Sequence, residues 1–314
     1  MNTETVVKKI NVIIFDDNYG LEVFALLYKD KFLIEKFQIN SLLEDLLKEK
    51  VKNILNSNYL TDEFALDSVD NIADNKKIFY EIQQNSNYFP FSFLNTNFDE
   101  LEKYAEKEQP NLKGFFIKIN RNDNYIWLYQ HKYSVTLINR ATSLLACFNG
   151  SVYEPMDCDV VRFDSKIDFV IIENSIITKN ITLLQNSFGF ETYVRNEADK
   201  VIEIIKKLDF ISDITSLSNL SNGQKLTTAK KLIKLKASPV LSISKKVLFA
   251  KIKEDEIYNK LIKFDETGNK IIISSQKSVK NLLKMLNDEY LISRLTGTSY
   301  ESPSKSIVNI DNME

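Results

Sequence analysis

A chain of 314 residues that is 44% hydrophobic and 27% charged has the make-up of a folded globular protein, long enough for one large domain or two ordinary ones. Seven glycines and five prolines exclude collagenous and low-complexity classes, and two cysteines, Cys147 and Cys158, exclude a disulfide scaffold and a CxxC redox pair. The net charge of −2 hides an asymmetry: 12 Lys/Arg against 20 Asp/Glu over residues 1–110, 10 against 10 over 111–200, and 19 against 13 over 201–314. Such a gradient points to nucleic acid, or to pairing between an acidic and a basic surface.

The N-terminus lacks the order of a signal peptide, and no segment approaches the roughly 20 apolar residues that span a bilayer. A cytoplasmic protein is expected, with any recruitment to the inner membrane made through a partner.

In chain order, Ile10–Phe15, Leu21–Leu27 and Phe32–Phe37 read as three strands of a β-meander. Ser41 reads as the N-cap of a helix over Leu42–Leu55, with Glu44 three residues on. Residues 56–75 read as loop, Ile78–Gln83 as a strand, and Phe98–Lys107 as a short acidic helix ending before Pro110. Leu112–Ile119 and Asn124–Gln130 form a predicted hairpin around Asn120–Asp123, which Val135–Asn139 extends. Asp159–Phe163, Asp168–Ile172 and Ser175–Lys179 suggest a second meander, turning at Glu173-Asn174.

From about Phe190 the period changes to helical. Asn196–Leu208, Ile211–Leu220, Gly223–Ala237 and Val279–Leu286 all repeat every three to four residues, with one strand at Lys270–Ile273. The expected fold class is α+β: a β-rich region over 1–190, acidic over 1–110 with a central meander over 111–190, then a helical, lysine-rich subdomain over 191–314. The boundary falls near 185–200, and no internal repeat stands out.

The stretch Lys225–Lys253 holds nine lysines (Lys225, Lys230, Lys231, Lys234, Lys236, Lys245, Lys246, Lys251 and Lys253) and no acid. On a helical wheel, Leu226, Ala229, Leu232, Ile233 and Leu235 share one face, with Lys230, Lys231 and Lys234 opposite. Lysines that merely solubilise a helix are usually mixed with acids, which gain i,i+4 pairs. Their absence favours contact with a polyanion such as a DNA backbone, where each neutralised phosphate releases counterions.

Catalytic constellations are scarce. His131 is the only histidine, so a two-histidine metal site is impossible, a Ser-His-Asp triad has one candidate base, and a surface or hydrogen-bonded role is expected over a catalytic one. No GxxxxGK[ST] or GxGxxG occurs. Asp157, Asp159, Asp164, Asp168 and Glu173 flank the central strands, but Asn174-Ser175 follow Glu173 where a metal-dependent nuclease needs Glu-x-Lys. Asp16-Asp17 and Asp157–Asp159 read as turn formers rather than Mg²⁺ ligands. No catalytic residue, metal or cofactor is expected; a metal-dependent DNA nuclease and a non-enzymatic adaptor docking on a membrane partner are the alternatives. Trp127 alternates with Tyr125 and Tyr129 along a strand, an aromatic row for a core or an interface.

Ser278–Leu291, Ser293-Arg294-Leu295-Thr296-Gly297, Tyr300 and Ser304-Lys305 resemble the closing signature of the KwaB-like family. Phe163–Ile177, Phe190-Glu191-Thr192-Tyr193 and Ala229-Lys230-Lys231-Leu232 are similar to its central and lysine-bearing segments. The likeness covers roughly residues 160–305. It implies an anti-phage protein of the Kiwa system that binds DNA, obstructs phage replication and transcription, works with a KwaA-like integral membrane protein and forms a homodimer. In the signature, Asp288 is expected to cap a following helix and Thr296-Gly297 to end it.

Overall fold

The computed structural model describes residues 1–15, 18–69, 78–83, 88–134, 136–138, 146–148, 150–156, 160–173, 175–223, 226–293 and 295–302. Asp16-Asp17, Val135, Asn139, Asp157–Asp159, Asn174, Lys225, Arg294 and Ser304-Lys305 lie outside them. The chain divides into two compact units, residues 1–67 with 76–183, and residues 68–75 with 184–314.

The first unit opens with helix α1 (Thr3–Ile14), where a strand was expected over Ile10–Phe15. The β-branched run Ile10, Val12, Ile13, Ile14 suggests a strand only in isolation. With Val6 included, the buried positions 6, 10, 13 and 14 follow the helical period. The Asn2 side chain accepts from the Thr5 N–H at 2.8 Å and starts the helix. Strands β1 (Gly20–Lys29) and β2 (Lys31–Phe37) follow, then α2 (Ser41–Asn58). The α2 cap is Asn40 rather than Ser41; its side chain takes the Leu43 N–H at 2.9 Å.

Next come β3 (Leu66–Ser68), β4 (Phe79–Gln83), β5 (Leu112–Arg121) and β6 (Asn124–His131). Short strands β7 (Leu137–Ile138), β8 (Ala146–Phe148), β9 (Tyr153–Pro155) and β10 (Val160–Val161) precede β11 (Phe169–Ile172), β12 (Ser175–Thr178) and helix α3 (Ile181–Phe188). An eight-stranded sheet runs in the order β2-β1-β5-β6-β11-β12-β4-β3, antiparallel from β2 through β4. The β5–β6 hairpin closes on Asn122, at φ 53°, as a two-residue turn demands.

Two expected strand pairings are replaced. Because β5 and β11 flank β6, and β6 and β12 flank β11, neither has an edge left to accept another strand. Leu137–Ile138 and Val160–Val161 pair with each other instead. The acidic helix expected over Phe98–Lys107 is also absent. Phe98–Glu100 and Glu106–Asn111 are 3-10 turns, and the chain between them hydrogen-bonds edge strand β2 through Lys36 N–H to the Glu102 carbonyl at 2.7 Å. A free strand edge offers the backbone partners that a helix would otherwise supply from within.

One sheet face buries Val23, Ala25, Phe115, Ile117, Leu128 and Val170 with Val6, Ile10, Leu47 and Val51 of α1 and α2. The other face is aromatic: Phe169 stacks on Tyr129 at 4.6 Å and on Phe91 at 5.1 Å, and Trp127 meets Phe24 and Phe98 at 5.4 and 5.3 Å. Trp127 and Tyr129 are thus core, while Tyr125 is 49% exposed. Gly114 on the central β5 is fixed by close approach: a Cβ there would stand 2.4 Å from the Gln130 carbonyl oxygen and 2.6 Å from the Tyr129 hydroxyl. Gly114→Ala should therefore lower unfolding free energy by about 2–3 kcal/mol. An unchanged urea midpoint would show that these strands have room to part.

The second unit is helical, with α4 (Phe190–Lys207), α5 (Thr215–Ser221), α6 (Thr227–Lys234), α7 (Lys245–Glu254), α8 (Glu256–Leu261) and α9 (Gln276–Leu286). Two small hairpins complete it, β13 (Lys263–Phe264) with β14 (Ile271–Ile272), and β15 (Tyr290–Ile292) with β16 (Ser299–Glu301). Helix α6 packs on α4, α5 and α9, whereas α7 packs on α8. A strand, not a helix, follows Asp288. That residue, at φ 52°, ends α9 instead, its N–H donating to the Met285 carbonyl at 2.8 Å. Gly297, at φ 67°, turns the β15–β16 hairpin. No helix among the described residues is long and apolar enough to cross a membrane.

Candidate nucleic-acid interface

Helix α6 forms because Ala229, Leu232 and Ile233, all at most 2% exposed, recur at helical spacing against its neighbours. The opposite face carries Lys230, Lys231 and Lys234, each half-buried, with Lys236 just beyond. Helix α7 buries Leu248, Phe249 and Ile252, and presents Lys246, Lys251 and Lys253 to solvent. Lys245 is half-buried in its first turn. The sequence thus places all eight described lysines of the stretch within the second unit.

Among the described residues, carboxylates from elsewhere in the chain answer Lys231, Lys236 and Lys245, and Lys230 and Lys234 also have interaction partners. The Lys231 ammonium lies 3.0 Å from both oxygens of Glu289, whose side chain is 2% exposed. Lys236 pairs with Glu197. Burial works against the ionised Glu197, yet its hydrogen bonds from Lys200 and Lys236 hold the carboxyl below its usual range. Lys245 donates to the Asp209 carbonyl at 2.6 Å and stands 3.9 Å from its carboxylate. These acids sit at positions 197, 209 and 289, not in the acidic first 110 residues. Lys253 lies 5.0 Å from the ring of Phe264.

Two lysines escaped the sequence reading. Lys277 and Lys280, both exposed on α9, join Lys231 along a groove of about 720 Å³ whose lining holds no carboxylate among the described residues. Their signal was present: Lys277, Lys280 and Lys284 recur at three- and four-residue spacing opposite Val279, Leu282, Leu283 and Leu286. It was hidden because acids 288 and 289 follow closely, so the segment looks balanced when only composition is counted.

Of the carboxylates flanking the central strands, Asp168, Asp164 and Glu173 each have partners within the first unit. Asp168, 3% exposed, accepts the His131 N–H at 2.9 Å, the Tyr133 hydroxyl at 2.9 Å and the Asn180 amide at 3.2 Å, and lies 3.2 Å from the Lys166 ammonium. Asp164 pairs with Arg162, and Glu173 with Lys9. No group of three or more His, Cys, Asp or Glu among the described residues could hold a metal ion.

The imidazole of His131 has its Nδ1 3.1 Å from the Tyr129 hydroxyl. Burial pushes its pKa down; Asp168 opposes this, and Lys113 and Lys166 add to it. The unfolded chain, with a histidine pKa of about 6.5, therefore binds the proton more readily than the folded one. Stability should fall as pH drops from about 7 toward 5, and His131→Gln should flatten that part of the profile. Parallel slopes for the two proteins in urea unfolding at each pH would contradict this.

Residues 109–296 match the Kiwa protein KwaB-like family. The chain is also 22% identical over 325 residues to Kiwa protein KwaB of Escherichia coli O55:H7 (strain RM12579 / EPEC), covering 97% of this chain and 98% of that protein. No solved structure matches. The family match begins upstream of β5 and so takes in strands β5, β6, β11 and β12 of the sheet as well as most of the helical unit; it starts well before the motifs at 160–305 and stops short of Tyr300 and Ser304-Lys305. The chain belongs to the Kiwa protein KwaB-like family, a component of anti-phage defence.

Proposed function

We propose that the protein is a non-catalytic component of Kiwa defence that binds DNA without sequence preference and obstructs phage replication and transcription by occupancy. The observation that carries this reading is the acid-free lysine stretch, which leaves Lys246, Lys251 and Lys253 exposed on α7. Ammonium groups on a rigid helix suit phosphate backbones, whose neutralisation releases condensed counterions whatever the bases. Lys230 and Lys234 on α6 add to the same charge. The protein acts as a homodimer beside a KwaA-like integral membrane protein, which brings it to the inner membrane.

The test is a gel mobility shift on closed-circular plasmid, comparing the natural chain with Lys246→Glu, Lys251→Glu and Lys253→Glu combined. These side chains are exposed and off the core, so the variant keeps its fold, checked by circular dichroism. Loss of the shift is expected. Equal affinity of the two proteins would sink the assignment.

A further inference from the structure

We infer that the groove lined by Lys231, Lys277 and Lys280 is a binding site for the phosphate monoester of a nucleotide, free or at the end of a DNA strand. It goes beyond DNA-backbone binding and does not require it, since a mononucleotide can occupy the groove whether or not α7 holds a duplex.

Charge is the first reason. Lys277 and Lys280 are exposed on α9, and the lining brings a third ammonium, Lys231, to the same space. Lys231 shares its charge with Glu289, but Glu289 is not part of the lining. Three ammonium groups, of which Lys231 pairs with Glu289 and both Lys231 and Lys280 also feel the Glu301 carboxylate, still leave a net positive site that suits a phosphate monoester, which carries about −1.5 to −2 near neutral pH. A backbone diester carries only about one negative charge per phosphate and matches less well.

The walls give the second reason. Thr227 and Thr228 bring hydroxyl donors from the first turn of α6, whose N-cap position is Leu226 and offers no side-chain acceptor. The positive end of the α6 dipole is therefore turned to the groove, and no carboxylate among the described residues lines it there. Leu220, Val279 and Leu283 line the rest with apolar surface, against which a sugar and base can pack. A volume of about 720 Å³ falls in the range of small-ligand sites. Phosphate at the lysines and an apolar body beside them describe a nucleotide.

Calorimetric titration of the whole chain with adenosine 5′-monophosphate and with adenosine tests this, alongside retention of 5′-phosphorylated and 5′-hydroxyl forms of one oligonucleotide. Saturable binding of the monophosphate and not the nucleoside is expected. A preference for the phosphorylated strand would add the strand end as a source, and its absence would restrict the site to free nucleotide. Lys277→Gln with Lys280→Gln should weaken the monophosphate by about tenfold or more and remove any preference for the phosphorylated strand, whereas Lys103→Gln with Lys107→Gln, in the first unit, should change neither. Both lysine pairs are exposed, so folding is not at risk. The site is refuted by no phosphate-dependent binding in either arm, or by equal losses in the two variants. Closed-circular plasmid has no strand ends, so its retention reports on the DNA reading separately.

Discussion

Replacing Lys231 with alanine is expected to lower unfolding free energy by about 3 kcal/mol. Glu289, with its side chain 2% exposed, has both oxygens 3.0 Å from that ammonium, and the substitution strands a carboxylate that water barely reaches. The reverse change should be milder. In Glu289→Gln the lysine left behind is 24% exposed and can turn its ammonium to solvent, at a cost nearer 1 kcal/mol. Lys231→Met combined with Glu289→Leu removes both charges and should recover most of the loss, because a buried pair repays little more than its own desolvation. Urea midpoints of the three variants measure this ordering. If the lysine and glutamate single changes cost the same, the carboxylate is not as closed to water as its burial indicates. The ordering also governs any binding experiment, since weaker DNA retention by a Lys231 variant mixes lost contact with lost fold. Lys246, Lys251 and Lys253 carry no such ambiguity.

How legible the fold was depended on whether the decisive partners were local. The β5–β6 hairpin could be read because its turn chemistry and both strands lie within twenty residues, with Asn122 taking the left-handed position itself. Helices α4 and α9 could be read from amphipathic spacing alone. The segments that went astray answer to distant neighbours. Glu102 and Tyr104 bond to Lys36, nearly seventy residues away in sequence, and no local propensity reports a free edge at β2. Leu137–Ile138 and Val160–Val161 pair because the central strands are already flanked on both sides, a fact of topology rather than composition. Ile10–Phe15 is different: its window was simply too short, and including Val6 restores the helical period.

For the site, the lysine stretch was legible as charge but not as geometry. The wheel placed Ala229, Leu232 and Ile233 inward correctly. It had no means of foretelling that Glu289, Glu197 and Asp209 return to Lys231, Lys236 and Lys245 across gaps of 36 to 58 residues. An acid-free run in sequence is therefore not an acid-free surface. The groove was out of reach for the same reason, since α6 and α9 are separated by about forty residues and only packing sets Lys231 beside Lys277 and Lys280.

A DNA-bound chain held by about six phosphate contacts should show log affinity falling with log salt at a slope near −5. Raising monovalent salt from about 50 to 200 mM then weakens binding by about 10³-fold, the largest single effect expected of this protein. Each lysine that truly meets a phosphate should, as glutamine, reduce the slope by about 0.9 and lower affinity alike on every sequence. Lys246→Gln, Lys251→Gln and Lys253→Gln together should bring the slope to between −2 and −3, roughly half its starting size by the same relation. Lys103→Gln, exposed in the first unit, is the control and should leave it unchanged. The slope distinguishes mechanisms that one affinity cannot, because a lysine acting only through folding changes the intercept and not the number of counterions released. A flat salt profile, or an equal slope change from Lys103, would mean that DNA is not held by the α7 ammonium groups.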